Sequence, residues 1–444
     1  MRVLIICQHY LPEEVGIGFQ ISQLALDLQQ LGHKVSVLTA FPNYPDRVVF
    51  EGYRRKVFQR ETIDGVRVIR TWVYTNPSED FSSRLLNWGS FCISAMLGAA
   101  IAAEKPDVIY TLLPPLPLGA TINIVGKIRR VPVIVHVQDI YPLIAVELGI
   151  LRNPKLIRFF EWMERRVYSS SSHIVVISEG FKENLLSKGV SDSKISVIAN
   201  WADDCFIRPA SKQNAFRCEL GAGSRFLVVY SGGLTRNSNL QPVLQAAAML
   251  KNEPYTFAIV GDGPLKPELE SMACDLKLDN LHFVPFQPLS RYPEVLSAAD
   301  MTIVALNNAA TFASVPSKVF KQMAAGRPVL AIAAPGSELQ QLVERARCGL
   351  HVSNDDPESL ADALRWAACH PDQADAMGSN GRQHMEEHHC RQKCVEAIER
   401  VLRHTVRNWR GKQVRDKSLA SKCGAGMMHG RQASDVEQSQ DLGE

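Results

Sequence analysis

Phe257-Ala258-Ile259-Val260-Gly261-Asp262-Gly263-Pro264 runs a short apolar strand straight into a Gly-Asp-Gly turn. Glycines at the carboxyl end of a strand let a backbone come close to a ligand. A lone Gly-x-Gly also marks an ordinary tight turn, so the segment gains weight only from its surroundings. Working outward, the same pattern of apolar run, turn and helix recurs at residues 226–230, 282–284, 301–305, 329–332 and 349–352. Upstream it recurs at 3–7, 34–38, 66–70, 108–111, 133–136, 173–177 and 195–199, with helices expected at 18–31 and 154–168. Strands alternating with helices imply βαβ units and parallel sheets. The fold class is therefore α/β, with two doubly wound, Rossmann-like domains facing a cleft. The boundary is placed at the turn Asn200-Trp201-Ala202-Asp203, giving domains at 1–203 and 204–404. Beyond His404 the apolar periodicity stops, and 405–444 is expected to be a disordered tail.

At 444 residues, two domains are the natural expectation. The formal charge of +3 argues against nucleic acid as the main partner. Ten cysteines show no framework spacing, which fits reduced thiols in a cytoplasmic protein. His9, Glu13 and Glu14 interrupt the apolar start, so a strand is expected there rather than a leader peptide. Residues 85–103 carry no charge, but glycine, serine and Asn87 break the run. A buried or interfacial helix is expected there rather than a membrane span.

Several segments carry candidate chemistry. In Ser314-Val315-Pro316-Ser317-Lys318-Val319-Phe320-Lys321-Gln322-Met323-Ala324-Ala325-Gly326, Ser317 is the expected N-cap, Gly326 the C′ residue and Pro328 the stop. Lys318 and Lys321 would stand in the first turn, against the helix dipole. A bound anion would resolve that conflict; two solvated lysines are the plain reading. Gly232, Gly233 and Arg236 follow another strand, and the Arg236 guanidinium suits phosphate oxygens. Gly16 and Gly18 form half of a dinucleotide fingerprint, too little for an NAD site. His136 and Asp139 stand at a further strand end, and Asp139 is the better chemical candidate. Two metal readings are weak: Asp203-Asp204 lies in a turn, and His384, His388, His389, Cys390 and Cys394 fall on different faces of one expected helix. No metal ligand set is assigned.

Taken in order, Gly16-Ile17-Gly18, Gln138-Asp139-Ile140-Tyr141-Pro142, Val176-Ile177-Ser178, Asn200-Trp201-Ala202-Asp203, Tyr230-Ser231-Gly232, Ile259-Val260-Gly261-Asp262-Gly263, Ser314-Val315-Pro316-Ser317-Lys318 and Met323-Ala324-Ala325-Gly326-Arg327-Pro328 resemble the bacterial GT-B glycosyltransferases of the retaining family GT4. Within it they look most like the branch that builds capsular, O-antigen and colanic-acid-type polysaccharides. The resemblance spans about Met1 to His404. It implies a hexosyl or N-acetylhexosaminyl transferase that uses a nucleotide sugar as co-substrate, needs no metal and acts on a lipid-linked glycan. It would place Arg236, Ser317 and Lys318 at the diphosphate, Gly261, Gly263 and Phe286 at the base, and Asp139 near the reacting centre. Gly16 and Gly18 would admit donor or acceptor. The chain departs from the family at two glutamates, replaced by Ala313 and Lys321, and at a lysine after the arginine, where Asn237-Ser238-Asn239 stand. Lys318 or Lys321 would then supply the missing charge.

Trp88, Phe91 and Ile93, with Lys127, Arg129 and Arg130, are expected either to face the cytoplasmic side of the inner membrane or to form an ordinary core helix and charge run. A non-catalytic nucleotide-sugar binder and a GT-B epimerase acting on a UDP-sugar remain alternatives.

Overall fold

The computed structural model describes residues 1–437 apart from 14–15, 45, 78–80, 102–103 and 309–315, and side chains only as far as residue 414. Ala313 and the start of the Ser314-Val315 segment lie outside the described residues.

The first sheet contains β1 (Arg2–Ile6), β2 (Lys34–Ala40), β3 (Phe58–Ile63), β4 (Val66–Thr71), β5 (Val108–Leu113), β6 (Val133–Val137), β7 (His173–Val176) and β8 (Ile195–Val197). Its helices are α1 (Gly16–Gln30), α2 (Phe81–Ile101), α3 (Leu116–Arg129), α4 (Leu143–Glu147), α5 (Pro154–Ser170) and α6 (Glu179–Ser187). The second sheet contains β9 (Phe226–Ser231), β10 (Tyr255–Val260), β11 (Leu281–Val284), β12 (Met301–Ala305), β13 (Val329–Ile332) and β14 (Gly349–Val352). Around it stand α7 (Ala215–Glu219), α8 (Gln241–Met249), α9 (Lys266–Asp275), α10 (Tyr292–Ala298), α11 (Lys318–Ala324), α12 (Glu338–Ala346), α13 (Pro357–Cys369), α14 (Pro371–His388) and α15 (Arg391–Glu437).

The strand orders are β3-β4-β2-β1-β5-β6-β7-β8 and β11-β10-β9-β12-β13-β14. All pairings are parallel except β3 with β4. Each sheet reverses its winding once, between β1 and β5 and between β9 and β12. Ligands of doubly wound sheets bind at the carboxyl ends of strands beside that reversal. The strand β3, Phe-Gln-Arg-Glu-Thr-Ile, went unread in the sequence. It alternates exposed and half-buried positions and carries charge, as an edge strand must to avoid pairing with other chains.

The terminal region differs from expectation in three ways. Residues 384–394 are not one helix: α14 ends at His388 and α15 begins at Arg391. The helix α15 continues through Glu437, past the expected limit at His404. Its apolar face belongs to the first domain, not the second. Cys394, Val395, Ile398, Leu402 and Val406 pack with Val3, Ile5 and Leu24 of the N-terminal core. Val406 is the last buried apolar side chain among those described. Arg391 fixes the entry to this helix. Its guanidinium forks onto both Asp27 oxygens at 2.7 Å and reaches Asp203 at 2.6 Å. Gln23 also donates to Asp203, at 2.9 Å. The acidic Asp203 is therefore a structural anchor.

Three histidines are held neutral by burial. His136 is pushed down to about 3. His173 falls to about 4, by burial and then by the charges of His404 and Lys194. His389 falls to about 3, by burial and then by its histidine neighbours.

Two predictions follow from this packing. The mutation Arg391→Met leaves two partly buried carboxylates without their cation. It should lower unfolding free energy by about 2 kcal/mol in urea titration, less than a fully buried pair would lose because all three groups keep some solvent. Stability should also fall below pH 6.5. The unfolded chain takes up protons on the three histidines from there, while the folded chain resists until pH 4 to 3. Stability is thus complete above pH 6.5 and should decline by about 1 kcal/mol per histidine per pH unit as pH falls. Melting curves between pH 8 and 5 should show the slope, and His136→Gln should reduce it.

Candidate active site

A cleft of about 450 Å³ opens where the two winding reversals face each other. Gln8 and His9 follow β1, and Leu112, Leu113 and Pro114 end β5. Across from them, Gly233 and Thr235 follow β9, while Ala305 and Leu306 end β12. Asp139, Gln138 and Asn200 extend the first wall, and Ser317 and Lys318 extend the second.

Lys318 is the best-defined cation of the cleft. Its Nζ donates to the Tyr230 hydroxyl at 2.8 Å and lies 4.3 Å from that ring's centroid. The hydroxyl in turn donates to the Gly233 carbonyl at 2.9 Å. A Cβ on Gly232, which has φ +153°, would stand 2.7 Å from the Lys318 amine. Glycine there leaves room for the cation beneath the loop.

At Gly261, Gly263 and Gly18 the close neighbour is backbone of the protein itself. A Cβ on Gly261 would meet the Gly232 carbonyl oxygen at 2.0 Å, and one on Gly263 the Leu234 carbonyl oxygen at 2.4 Å. The loops after β9 and β10 are laced by Gly232 N–H to Val260 and Leu234 N–H to Asp262, both 2.9 Å. The space these glycines open is filled by backbone, so neither lines the cleft. Gly16 (φ +61°) starts α1, and Gly18 lets that helix pass the His9 backbone, 3.2 Å from its virtual Cβ. Ile17, between them, is the residue that lines the cleft. Phe286 is exposed on the loop after β11 and takes no part in the cleft lining.

Three further expectations change. Ser317 precedes α11 but is itself helical (φ −60°, ψ −18°) and makes no side-chain cap bond. Lys321 stands in the last turn of this seven-residue helix, not its first. Its Nζ lies 5.3 Å from the Tyr292 ring centroid, off the cleft lining. Burial, then the Lys318 charge, pushes its pKa down. Arg236 opens into a neighbouring cavity of about 360 Å³ with Glu147, Asn239 and Glu268; Ser238 borders both cavities.

Two polar constellations on the first wall escaped the sequence reading. Gln138 donates to His136 Nε2 at 2.9 Å and accepts from Asn200 at 2.8 Å. In that arrangement the His136 proton sits on Nδ1, 2.7 Å from the Tyr110 hydroxyl. The Asn200 Oδ1 is buried without a protein partner, at a residue that lines the cleft. The second constellation is His9 with Glu13, whose Nδ1 and Oε2 are 3.1 Å apart. Glu13 is 2 % exposed. It accepts from the backbone N–H groups of Tyr10 (3.2 Å), Asn43 (2.7 Å) and Tyr44 (2.8 Å). Burial alone would raise its pKa, but the His9 and backbone hydrogen bonds outweigh it and the pKa is lowered. Only the polar break in the apolar N-terminal run hinted at this pair.

Comparison with known proteins agrees with the architecture. Residues 15–201 match the family model described as glycosyl transferase 4-like domain, and 212–384 match glycosyl transferases group 1. The chain is 28% identical over 379 residues to the putative colanic acid biosynthesis glycosyl transferase WcaI of Escherichia coli K12, covering 84% of this chain and 93% of that one. It is 26% identical over 390 residues to the D-rhamnosyltransferase WbpZ of Pseudomonas aeruginosa, covering 86% and 90%. Among solved structures, sucrose-phosphate synthase from Thermosynechococcus elongatus aligns with TM-score 0.71 at 19% identity, over 91% and 98% of the chains. Anabaena HepE in complex with UDP-glucose aligns with TM-score 0.68 at 16% identity, over 91% and 100%. With both domains matched and the winding reversals meeting at one cleft, the chain belongs to the GT-B glycosyltransferases of the GT4 type, in the bacterial polysaccharide biosynthesis branch.

Proposed function

We propose that the protein moves a hexosyl or N-acetylhexosaminyl group from a nucleoside-diphosphate donor to a lipid-linked glycan, with retention at the anomeric carbon. The observation that carries the donor half is the Lys318 amine, held by Tyr230 and Gly232 at the cleft wall. As the glycosidic bond breaks, charge gathers on the diphosphate oxygens. A preorganised cation stabilises that charge without reorganising. The UDP-glucose bound by Anabaena HepE supports this donor class. Retention rests on the GT4 family resemblance.

The lipid half draws on the outer face of the first domain. Leu86, Ile93, Leu97 and Ile101 of α2 are exposed, as are Ile124 and Ile128 of α3. The helix α3 packs on both α2 and α5, and α5 adds exposed Phe159 and Trp162. Exposed Lys127, Arg130, Lys155, Arg158, Arg165 and Arg166 surround them. Large apolar side chains rimmed by cations suit the interface of an anionic bilayer. The composition of this face differs from the expected one. Phe91 is fully buried and Trp88 points to the cleft and core, leaving only Ile93 of the three apolar residues exposed. Arg129 donates to the Ala99 carbonyl at 2.5 Å. The inner face of α2 holds Phe91, Ala95 and Ala99 in the sheet core, so this helix would lie on a membrane and not cross it. The protein would then work at the cytoplasmic face of the inner membrane.

A panel of UDP-, GDP-, dTDP- and ADP-sugars should contain one that raises the melting temperature and is hydrolysed slowly to free nucleotide. Lys318→Met should lower kcat/KM for that release about 100-fold. Binding without any release would favour a non-catalytic nucleotide-sugar binder, and no stabilisation by any donor would sink both readings. The native chain should float with phosphatidylglycerol vesicles at low salt. The pair Ile93→Asp and Ile128→Asp should abolish flotation; equal flotation by the double variant would remove the membrane face.

A further inference from the structure

We infer that a second cavity of the first domain, at the carboxyl ends of β2 and β4, holds the pyrophosphate and first isoprene units of the lipid-linked acceptor; this rests on the acceptor class proposed above. The cavity measures about 400 Å³. Phe41 follows β2 directly, and Trp72 to Tyr74 follow β4. Both strands run parallel to β1, so the cavity opens on the same side of the sheet as the cleft.

The lining joins aromatic rings to cations. Tyr53, Trp72 and Tyr74 stand with Arg55 and Lys56, and no acid is among the described lining residues. Arg55 is exposed and has no hydrogen-bond or ion-pair partner among the described residues. Its φ of +62° is a left-handed conformation that a non-glycine residue seldom adopts. Lys56 Nζ donates to the Gly52 carbonyl at 2.7 Å and to Gln59 at 3.0 Å. Both acceptors are neutral, so they orient the ammonium and leave its charge uncancelled. The neighbouring acid, Glu61, is taken by the buried Arg70. The Arg70 guanidinium also lies 4.9 Å from the Tyr53 ring centroid, and the Tyr53 hydroxyl donates to Glu61 at 3.3 Å. That wall is therefore set before any ligand arrives. Two adjacent cations suit two linked phosphates, and a guanidinium can take two oxygens at once. The rim is apolar: Val57 is 73 % exposed and Trp72 46 %. Exposed hydrocarbon beside a cationic cavity suits an isoprenoid chain that ends in pyrophosphate.

The segment from Trp72 to Tyr74 is strapped along α2. Ser94 donates to the Trp72 carbonyl at 2.6 Å, Ser90 accepts from the Tyr74 N–H at 2.8 Å, and Asn87 donates to the Tyr74 carbonyl at 2.6 Å. Ser94 stands beside the exposed Ile93, with exposed Leu97 one turn on. Asn87 also accepts from Gln8 at 2.6 Å, and Gln8 lines the cleft with Trp88. One end of the strap thus meets the face proposed to lie on the membrane, and the other meets the cleft wall. An acceptor held here by its pyrophosphate would extend its sugar toward the cleft.

Flotation of the full chain at physiological salt tests this, because diffuse attraction is then screened. One set of phosphatidylcholine vesicles carries polyprenyl pyrophosphate, and a second carries equal charge as phosphatidylglycerol. The native chain should bind the first set about tenfold more tightly, the worth of a charge-assisted contact. Arg55→Ser with Lys56→Ser should remove that preference, and Trp72→Ser should reduce it. Lys127→Ser with Lys155→Ser takes the same charge from the outer face; it should weaken binding to both sets and keep the preference. Inorganic pyrophosphate at matched concentration should not displace the chain, since it offers nothing to Trp72 and Val57. Melting curves establish that each variant is folded; should Trp72→Ser fail, the exposed Arg55 and Lys56 decide. An unchanged preference in the Arg55 and Lys56 variant, equal loss of it in both double variants, or displacement by inorganic pyrophosphate would overturn this inference and leave the lipid-linked acceptor standing. Equal binding of the native chain to both vesicle sets would overturn the inference and that acceptor class together, with the donor reading still judged by nucleotide release.

Discussion

The guanidinium of Arg391 meets Asp27 from α1 with two parallel bonds and Asp203 from the interdomain turn with a third. A cleft made from two sheets has a usable shape only if the distance between them is fixed. Arg391 sits where the chain returns from the second domain to the first, and an arginine fork sets direction as well as distance. The apolar face of α15 then locks into the N-terminal core through Ile398, Leu402 and Val406. The second strand of the crossing is held by the bridge between Ala202 and Cys390. Two crossings close together allow the walls to face each other, and His9 and Lys318 line opposite walls only because of them.

Within the second domain the governing constraint is the width of a glycine. The loops after β9 and β10 approach so closely that any side chain at Gly261 or Gly263 would strike backbone. That lacing holds Gly232 and Gly233 at the rim, and Gly232 in turn leaves space for the Lys318 amine. Placing a lysine under a glycine loop has an electrostatic consequence. Its nearest partner is the Tyr230 hydroxyl and π face, a neutral group that orients the ammonium without cancelling its charge.

The sequence made the strands easy to read because buried parallel strands need continuous Val-Ile-Leu runs, and such runs bounded by glycine have few other readings. Strands β12, β13 and β14 fall on the expected residues. The edge strand β3 was hidden because its exposed, charged pattern is also that of a loop. Site residues were harder for a different reason. A glycine after a strand announces that something comes close, but not whether that is ligand or the neighbouring loop. At Gly261 and Gly263 the neighbouring loop is what comes close. Lys321 read as a phosphate cation because it follows Lys318 by three residues, but in a helix of seven residues that position is already in the last turn. His9 and Glu13 lie four apart in a loop, where no periodicity marks them as partners. Asn200 looked like a turn residue, and only burial shows that its Oδ1 lacks a partner.

The GT4 resemblance sets Lys321 where relatives carry a glutamate, which would change which wall can hold the sugar. A carboxylate at that position would accept hydroxyl hydrogen bonds from the second domain. Lys321 only donates, and it is packed against Tyr292 behind Lys318. Among the described residues the second wall offers the Lys318 ammonium, which suits phosphate, beside the neutral side chains of Thr235, Asn237, Ser238 and Ser317. The first wall adds Asn200 Oδ1, buried without a partner, and the side chains of Asp139 and His9. On the proposed reading, nucleotide and sugar would be divided between the domains, with phosphate on the second and hydroxyls on the first. Such a donor is gripped fully only when both walls are at their correct separation, which returns the demand to Arg391. Loosening that fork should therefore weaken the hold on an intact sugar nucleotide more than the hold on the free nucleoside diphosphate.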